Sequence, residues 1–215
     1  ISSIFLMVDL CDLVEVEIAG RNGRISITGN SEVPDSQDTM RSAAATFLSN
    51  IGKADGVRIR VCKRIPIGAG LGGGSSDAAS VLVALNGAYG NPLDHDQLLR
   101  IAGEIGSDVP FFLEGPAAMV GGRGEVLDSF VPPRTWWVLL VDPGFGVSTR
   151  EAFVWFDAGG YLRKPWSPDL SVRERFAHGR PAQWGFSNSF TEVLSARYPE
   201  LGSICDAMTC AKLAS

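Results

Sequence analysis

Residues 66–79 read P-I-G-A-G-L-G-G-G-S-S-D-A-A, with glycines at 68, 70, 72, 73 and 74 ahead of Ser75, Ser76 and Asp77. Glycine reaches backbone angles closed to other residues and carries no side chain, so such a loop can wrap its N–H groups around an anion. The pattern predicts a helix over 77–89, whose free N–H groups and positive dipole end would face the same spot. Loop and helix together predict a phosphate cradle, which implies a nucleotide. Phosphoryl transfer would further need cations against the phosphate charge, a group to orient or deprotonate an acceptor hydroxyl, and two substrates held in line. Ser75 and Ser76 suit a phosphate oxygen or a Mg²⁺ ion, and equally suit helix capping; Ser76 is the candidate metal ligand. Asp77 reads first as a capping residue, because a carboxylate beside phosphates repels them unless it turns away or holds the metal. Asp108 follows a helix-ending Gly106 and precedes V-P-F-F-L. A partly buried carboxylate at such a junction suits a general base, although local sequence by itself favours an N-cap or turn aspartate. No lysine stands out as its partner.

Other glycine loops fit less well. Gly68, Gly70 and Gly73 satisfy G-x-G-x-x-G, but that fingerprint needs a buried parallel strand before it and an acid ending the next strand. Here Val57, Ile59 and Val61 alternate with Arg58 and Arg60, as in a half-exposed antiparallel strand. After the helix, Asn91-Pro92 leads into another helix over 94–105. No Gly-Lys-Ser/Thr follows the glycines, which excludes the Walker form. A flexible linker would not be flanked by periodic elements on both sides. A nucleotide-phosphate loop of a third kind remains, on an α+β scaffold.

The elements that must position it follow from periodicity. Strands are predicted near 4–8 and 14–18, with a turn at 20–23 and a returning strand at 25–28. Asp35 to Asp38 offer start residues for a helix through 51, and a glycine-broken strand segment covers 117–127. Pro132-Pro133-Arg134 marks a domain boundary. A strand at 136–141, a helix from Thr149, and helices at 188–194 and 201–213 follow; residues 157–186 have weak periodicity.

Composition narrows the class. At 215 residues, with 45% hydrophobic and 20% charged residues, the chain can form one large or two small domains. A net charge of -5 gives no electrostatic reason to expect nucleic acid or an anionic membrane. No segment reads as a bilayer span or a secretory signal. Cys11, Cys62, Cys205 and Cys210 are scattered, so reduced thiols in a cytoplasmic compartment are expected. His95 and His178 read as surface residues.

The glycine-rich stretch resembles the second motif of the GHMP small-molecule kinases. Its three glycines before S-S-D-A-A resemble the branch that acts on 4-diphosphocytidyl-2-C-methyl-D-erythritol. S-S-I-F-L-M-V-D-L-C-D, G-S-D-V-P-F-F-L, G-G-R-G-E, D-P-G-F-G-V-S-T-R-E-A-F and N-S-F-T-E-V-L fit the same branch. The resemblance implies the two-domain GHMP fold, with a ribosomal-protein-S5-like ATP-binding domain over 1–131 and a ferredoxin-like substrate domain over 135–215. It implies that Pro66, Ile67, Gly68, Ala69, Gly70, Leu71, Gly72, Gly73, Gly74, Ser75 and Ser76 hold ATP and that Asp108 is the catalytic base. Thr149 and Phe153 would line a cytidine pocket. The implied reaction moves the ATP γ-phosphate to the 2-hydroxyl of the methylerythritol unit, with Mg²⁺, in a monomer or homodimer. Kinases of another small alcohol, such as homoserine or mevalonate, and a non-catalytic nucleotide-binding relic are the alternatives. The family's Ala-Lys-x-Asn strand and Tyr-His pair would precede Ile1, and its third glycine motif would follow Ser215. The expectation is therefore a chain truncated at both ends, with weak ATP affinity and little turnover by itself. The family's usual Asn-Leu is replaced by Asp38-Thr39, on the adenosine side of the site.

Overall fold

The computed structural model describes residues 3–20, 23–29, 38–122, 124–159, 170–179, 184 and 188–210. The chain divides into two compact units, Ile1–Val131 and Pro132–Ser215.

In the first unit the alternating segment is strand β4 (Val57–Cys62), whose residues are buried and exposed in strict alternation. It lies between β2 (Leu13–Ile18), antiparallel to it, and β3 (Ile25–Gly29), parallel to it. The returning strand expected after the turn at 20–23 therefore does not pair with its predecessor. The chain crosses over through α1 (Thr39–Asn50) and inserts β4 between the two. Residues 21 and 22 of that turn, and 35–37 before α1, lie outside the described residues. On the exposed face Glu17 pairs with Arg58 at 2.6 Å and Glu15 with Arg60 at 3.2 Å. Such exposed pairs set register more than stability.

Val57, Ile59 and Val61 point into a core closed by α1 and α2 (Gly73–Ala88). Phe47 and Leu48 come from α1, and Val81, Leu82 and Leu85 from α2. Each fully buried aliphatic side chain there contributes about 1.5–3 kcal/mol. The amphipathic α3 (His95–Ile105) adds Leu98, Ile101 and Ala102, and starts at a capping box between Asp94 and Gln97. A second sheet has the order β1 (Ser3–Leu6), β5 (Ala117–Gly121), β6 (Val126–Phe130), all antiparallel. The glycine-broken segment is thus a hairpin, with Arg123 of its turn outside the described residues. Helix α4 (Val109–Glu114) bridges the two layers. Its Phe111 packs edge-on against Phe5 of β1, centroids 5.3 Å apart.

In the second unit the described residues form helices α5 (Thr149–Ala158), α6 (Leu170–His178), α7 (Thr191–Arg197) and α8 (Pro199–Cys210). Residues 211–213, expected to continue the last helix, lie outside the described residues. The strand expected at 136–141 is not formed. Its β-prone side chains have no ladder partner among the described residues, and Trp137 through Val141 are exposed. Aromatic contacts organise this unit instead: Phe153 and Phe156 meet Phe190, and Phe145 stacks on Tyr198. No described helix is long and apolar enough to cross a membrane.

Candidate functional site

A cleft of about 280 Å³ opens in the first unit along the glycine loop. Pro66, Ile67, Gly68, Ala69, Gly70, Leu71, Gly72, Gly73, Gly74 and Ser75 line it, joined by Asp38, Thr39, Met40, Lys63 and Asp77. Gly68, Gly70 and Gly72 have φ of 76°, 73° and 70°, the left-handed region that curls the loop. Helix α2 starts at Gly73, four residues before the predicted start. Its first i→i−4 bond runs from Ser76 N to Gly72 O at 2.9 Å, so the N–H groups of Gly73, Gly74 and Ser75 precede the ladder. Packing holds this glycine turn despite its poor helix propensity. A Cβ on Gly72 would lie 2.9 Å from Phe112 Cζ, and one on Gly73 would lie 3.0 Å from Ile65 Cγ2.

The two serines divide. Ser75 lines the cleft, whereas Ser76 lies outside its lining and donates from Oγ to Gly73 O at 2.9 Å. The hydroxyl expected to bind the metal is turned back onto its own helix, because an N-terminal-turn serine reaches the carbonyl three residues earlier.

Asp77 does not cap α2, whose N-cap is Gly72 with no side-chain bond. Its Oδ2 lies 2.8 Å from Lys63 Nζ, and Lys63 Nζ lies 2.5 Å from Asp12 Oδ2. All three side chains are at least nine-tenths buried. Asp12 Oδ1 also accepts from Ile65 N at 2.9 Å and from Arg64 N at 2.5 Å. Burial opposes the Asp12 charge, but bonds from Lys63 and those two backbone amides outweigh it and hold its carboxyl below the ordinary range. Burial pushes Asp77, which has no such amides, up to about 6 against the pull of Lys63. Burial also opposes the Lys63 charge, yet its bonds to both carboxylates raise it.

A second helix N-terminus meets the first in this cleft. Asp38 caps α1, its Oδ1 accepting from Met40 N at 2.8 Å and Arg41 N at 3.3 Å. Thr39 Oγ1 donates to Gly74 O at 2.7 Å, tying the start of α1 to the start of α2.

Asp108 stands at the N-cap position of α4 without capping it, and it is not part of the cleft lining. Burial pushes its carboxyl up, and among the described residues it has no hydrogen bond or ion pair. A Cβ at Gly124 would lie 3.3 Å from Asp108 Oδ1, so the glycine of the β5–β6 turn leaves room for it. One turn along, Phe112 lies under Gly72. The helix that carries Asp108 is therefore seated against the loop that starts α2. In the second unit Thr149 and Phe153 share one face of α5, four residues apart, and both are exposed.

Residues 38–116 match the GHMP kinases N terminal domain. A 4-diphosphocytidyl-2-C-methyl-D-erythritol kinase of Geobacter metallireducens is 34% identical over 95% of this chain and 71% of its own length. The chain belongs to the 4-diphosphocytidyl-2-C-methyl-D-erythritol kinase family. The namesake of Methylacidiphilum infernorum is 43% identical over 70% of the chain, which spans 53% of that relative. A crystal structure titled 4-(cytidine 5'-diphospho)-2C-methyl-D-erythritol kinase superposes with a TM-score of 0.76 at 31% identity, over 97% of this chain and 73% of that one. The fold is accordingly the α+β two-domain fold of the GHMP kinases. The chain spans between about half and three quarters of the length of these relatives.

Sequence reasoning missed Asp12 and Lys63. The link lies in a register that only the fold reveals: Leu13 of β2 pairs with Cys62 of β4, which sets Asp12 opposite Lys63. At the place where the resemblance implies Asn-Leu, Asp38 caps α1 and Thr39 carries a hydroxyl.

Proposed function

We propose that this chain is the ATP-binding and substrate-binding part of a kinase. It transfers the γ-phosphate of ATP to the 2-hydroxyl of 4-diphosphocytidyl-2-C-methyl-D-erythritol. The observation that carries the reading is the cleft itself. Three left-handed glycines curl the loop, and Gly73, Gly74 and Ser75, whose N–H groups precede the α2 ladder, all line one concave surface in a chain of this family.

The chemistry follows from the residues. Backbone N–H groups and the α2 dipole suit the nucleotide phosphates. Lys63 is matched by two carboxylates, so it acts beneath the loop rather than as the main counter-charge. Asp108, desolvated and without a bonded partner among the described residues, is the group to accept the proton of the substrate alcohol. Phe153 offers an aromatic face to the cytosine ring, and Thr149 a hydroxyl to the same ligand. The described residues hold no cluster of three or more His, Cys, Asp or Glu side chains for a metal. Ser75, which lines the cleft, is the side chain that would meet a Mg²⁺ ion carried in on the nucleotide, and the ion would supply charge neutralisation of the phosphates. Exposed free thiols at Cys11, Cys62 and Cys205 support a reducing cytoplasm as its compartment.

The test is ADP release with 4-diphosphocytidyl-2-C-methyl-D-erythritol, homoserine and mevalonate in parallel. The reading predicts stimulation by the cytidine-bearing alcohol alone. Equal or greater stimulation by either of the others would refute it.

A further inference from the structure

We infer that Thr39 and Ser76 are positioning residues of the phosphate cradle, acting through two peptide planes rather than by touching the nucleotide. The inference rests on the phosphate-binding reading above. Thr39 Oγ1 donates to Gly74 O at 2.7 Å and Ser76 Oγ donates to Gly73 O at 2.9 Å. In a trans peptide the C=O and the N–H of one plane point in opposite directions. The plane that carries Gly74 O also carries the N–H of Ser75, and the plane that carries Gly73 O also carries the N–H of Gly74. Both N–H groups precede the first ladder bond of α2 and belong to residues lining the cleft.

A hydrogen bond donated to the carbonyl oxygen draws electron density from its amide, which makes the N–H at the other edge a stronger donor. It also fixes the tilt of the plane. Two of the three cradle N–H groups are thus backed by a hydroxyl, one local and one from α1. The bond from Thr39 spans 35 residues and sets the α2 entrance against a separate helix. A Cβ at 74 would lie 3.3 Å from Thr39 Oγ1 and would crowd this bond. Ser76 thereby has a role in the cradle that does not depend on a metal.

Amide ¹H–¹⁵N spectra of the ligand-free protein, followed by ATP titration, test this. Thr39→Val should shift the Ser75 amide nitrogen upfield and leave Gly74 in place; Ser76→Ala should do the reverse. Each should weaken ATP binding about fivefold, the worth of one hydrogen bond, and Thr39→Ser should restore both readouts. Unmoved amides in both variants, with ATP binding at the wild-type level, would overturn the inference alone. A wild-type protein whose amides at 73–75 do not respond to ATP would overturn the phosphate reading and this role with it.

Discussion

Lys63 Nζ lies 2.8 Å from Asp77 Oδ2 beneath the glycine loop, with Asp12 closing the other side of the ammonium. The contact joins the end of β4 to the second turn of α2, while Asp12 brings in the β1–β2 connection. The loop between β4 and α2 is therefore pinned at both ends by one buried cation. Breaking such a pair leaves an uncompensated buried charge, and that penalty exceeds what the pair contributes over an apolar substitute.

Asp77 should make stability depend on pH with a definite sign. Its folded pKa, about 6, stands above the ordinary 3.8. Between those values the folded chain holds a proton that the unfolded chain has lost, so stability falls as pH rises through the window. The lowered Asp12 acts below this range and the raised Lys63 above it. Asp77→Asn should remove roughly 1–3 kcal/mol of that fall, by the worth of a pKa unit. Urea midpoints of both proteins at pH 4.5 and 6.5 check it; identical slopes would show that Asp77 titrates normally.

Gly72→Ala should harm both fold and cradle. Alanine must adopt a φ of 70° and its Cβ must enter the space of Phe112 Cζ, 2.9 Å away. A loss of about 2 kcal/mol in chemical denaturation is expected, with ATP affinity reduced more than tenfold. Unchanged stability would mean that α4 does not back the loop.

Phe153→Ala should separate binding from folding. The ring is 42% exposed and meets Phe190 edge-on, so the melting temperature should barely move. KM for the cytidine-bearing substrate should rise about tenfold, the scale of one lost aromatic stack, while KM for ATP stays put. Equal changes in both constants would place Phe153 outside the cytidine site.

How much could be read from sequence varied with range. β4 was legible because a half-buried strand has a period of two, and a helix start within 35–38 because capping is local, with Asp38 the residue that caps. The start of α2 was not, since glycine is a poor helix former and Ile65, Phe112 and Thr39 hold its first turn from outside. The order β2-β4-β3 was hidden for a similar reason: neighbouring strands suggested a hairpin, and only the α1 crossover separates them. Lys63 and its two carboxylates come from three segments, and no periodicity links them. The local reading of Asp108 as a cap named its position correctly, but in the folded chain its carboxylate does no capping.

The most direct test is single-turnover transfer of labelled γ-phosphate from ATP to 4-diphosphocytidyl-2-C-methyl-D-erythritol, by the wild type and by Asp108→Asn. The wild type should label the substrate within a single turnover, although its sustained turnover is expected to be low. The variant should bind ATP as well yet transfer at least a hundredfold more slowly, the usual worth of a general base. Label transfer by the variant at the wild-type rate, or none by a wild type that binds both ligands, would contradict the account.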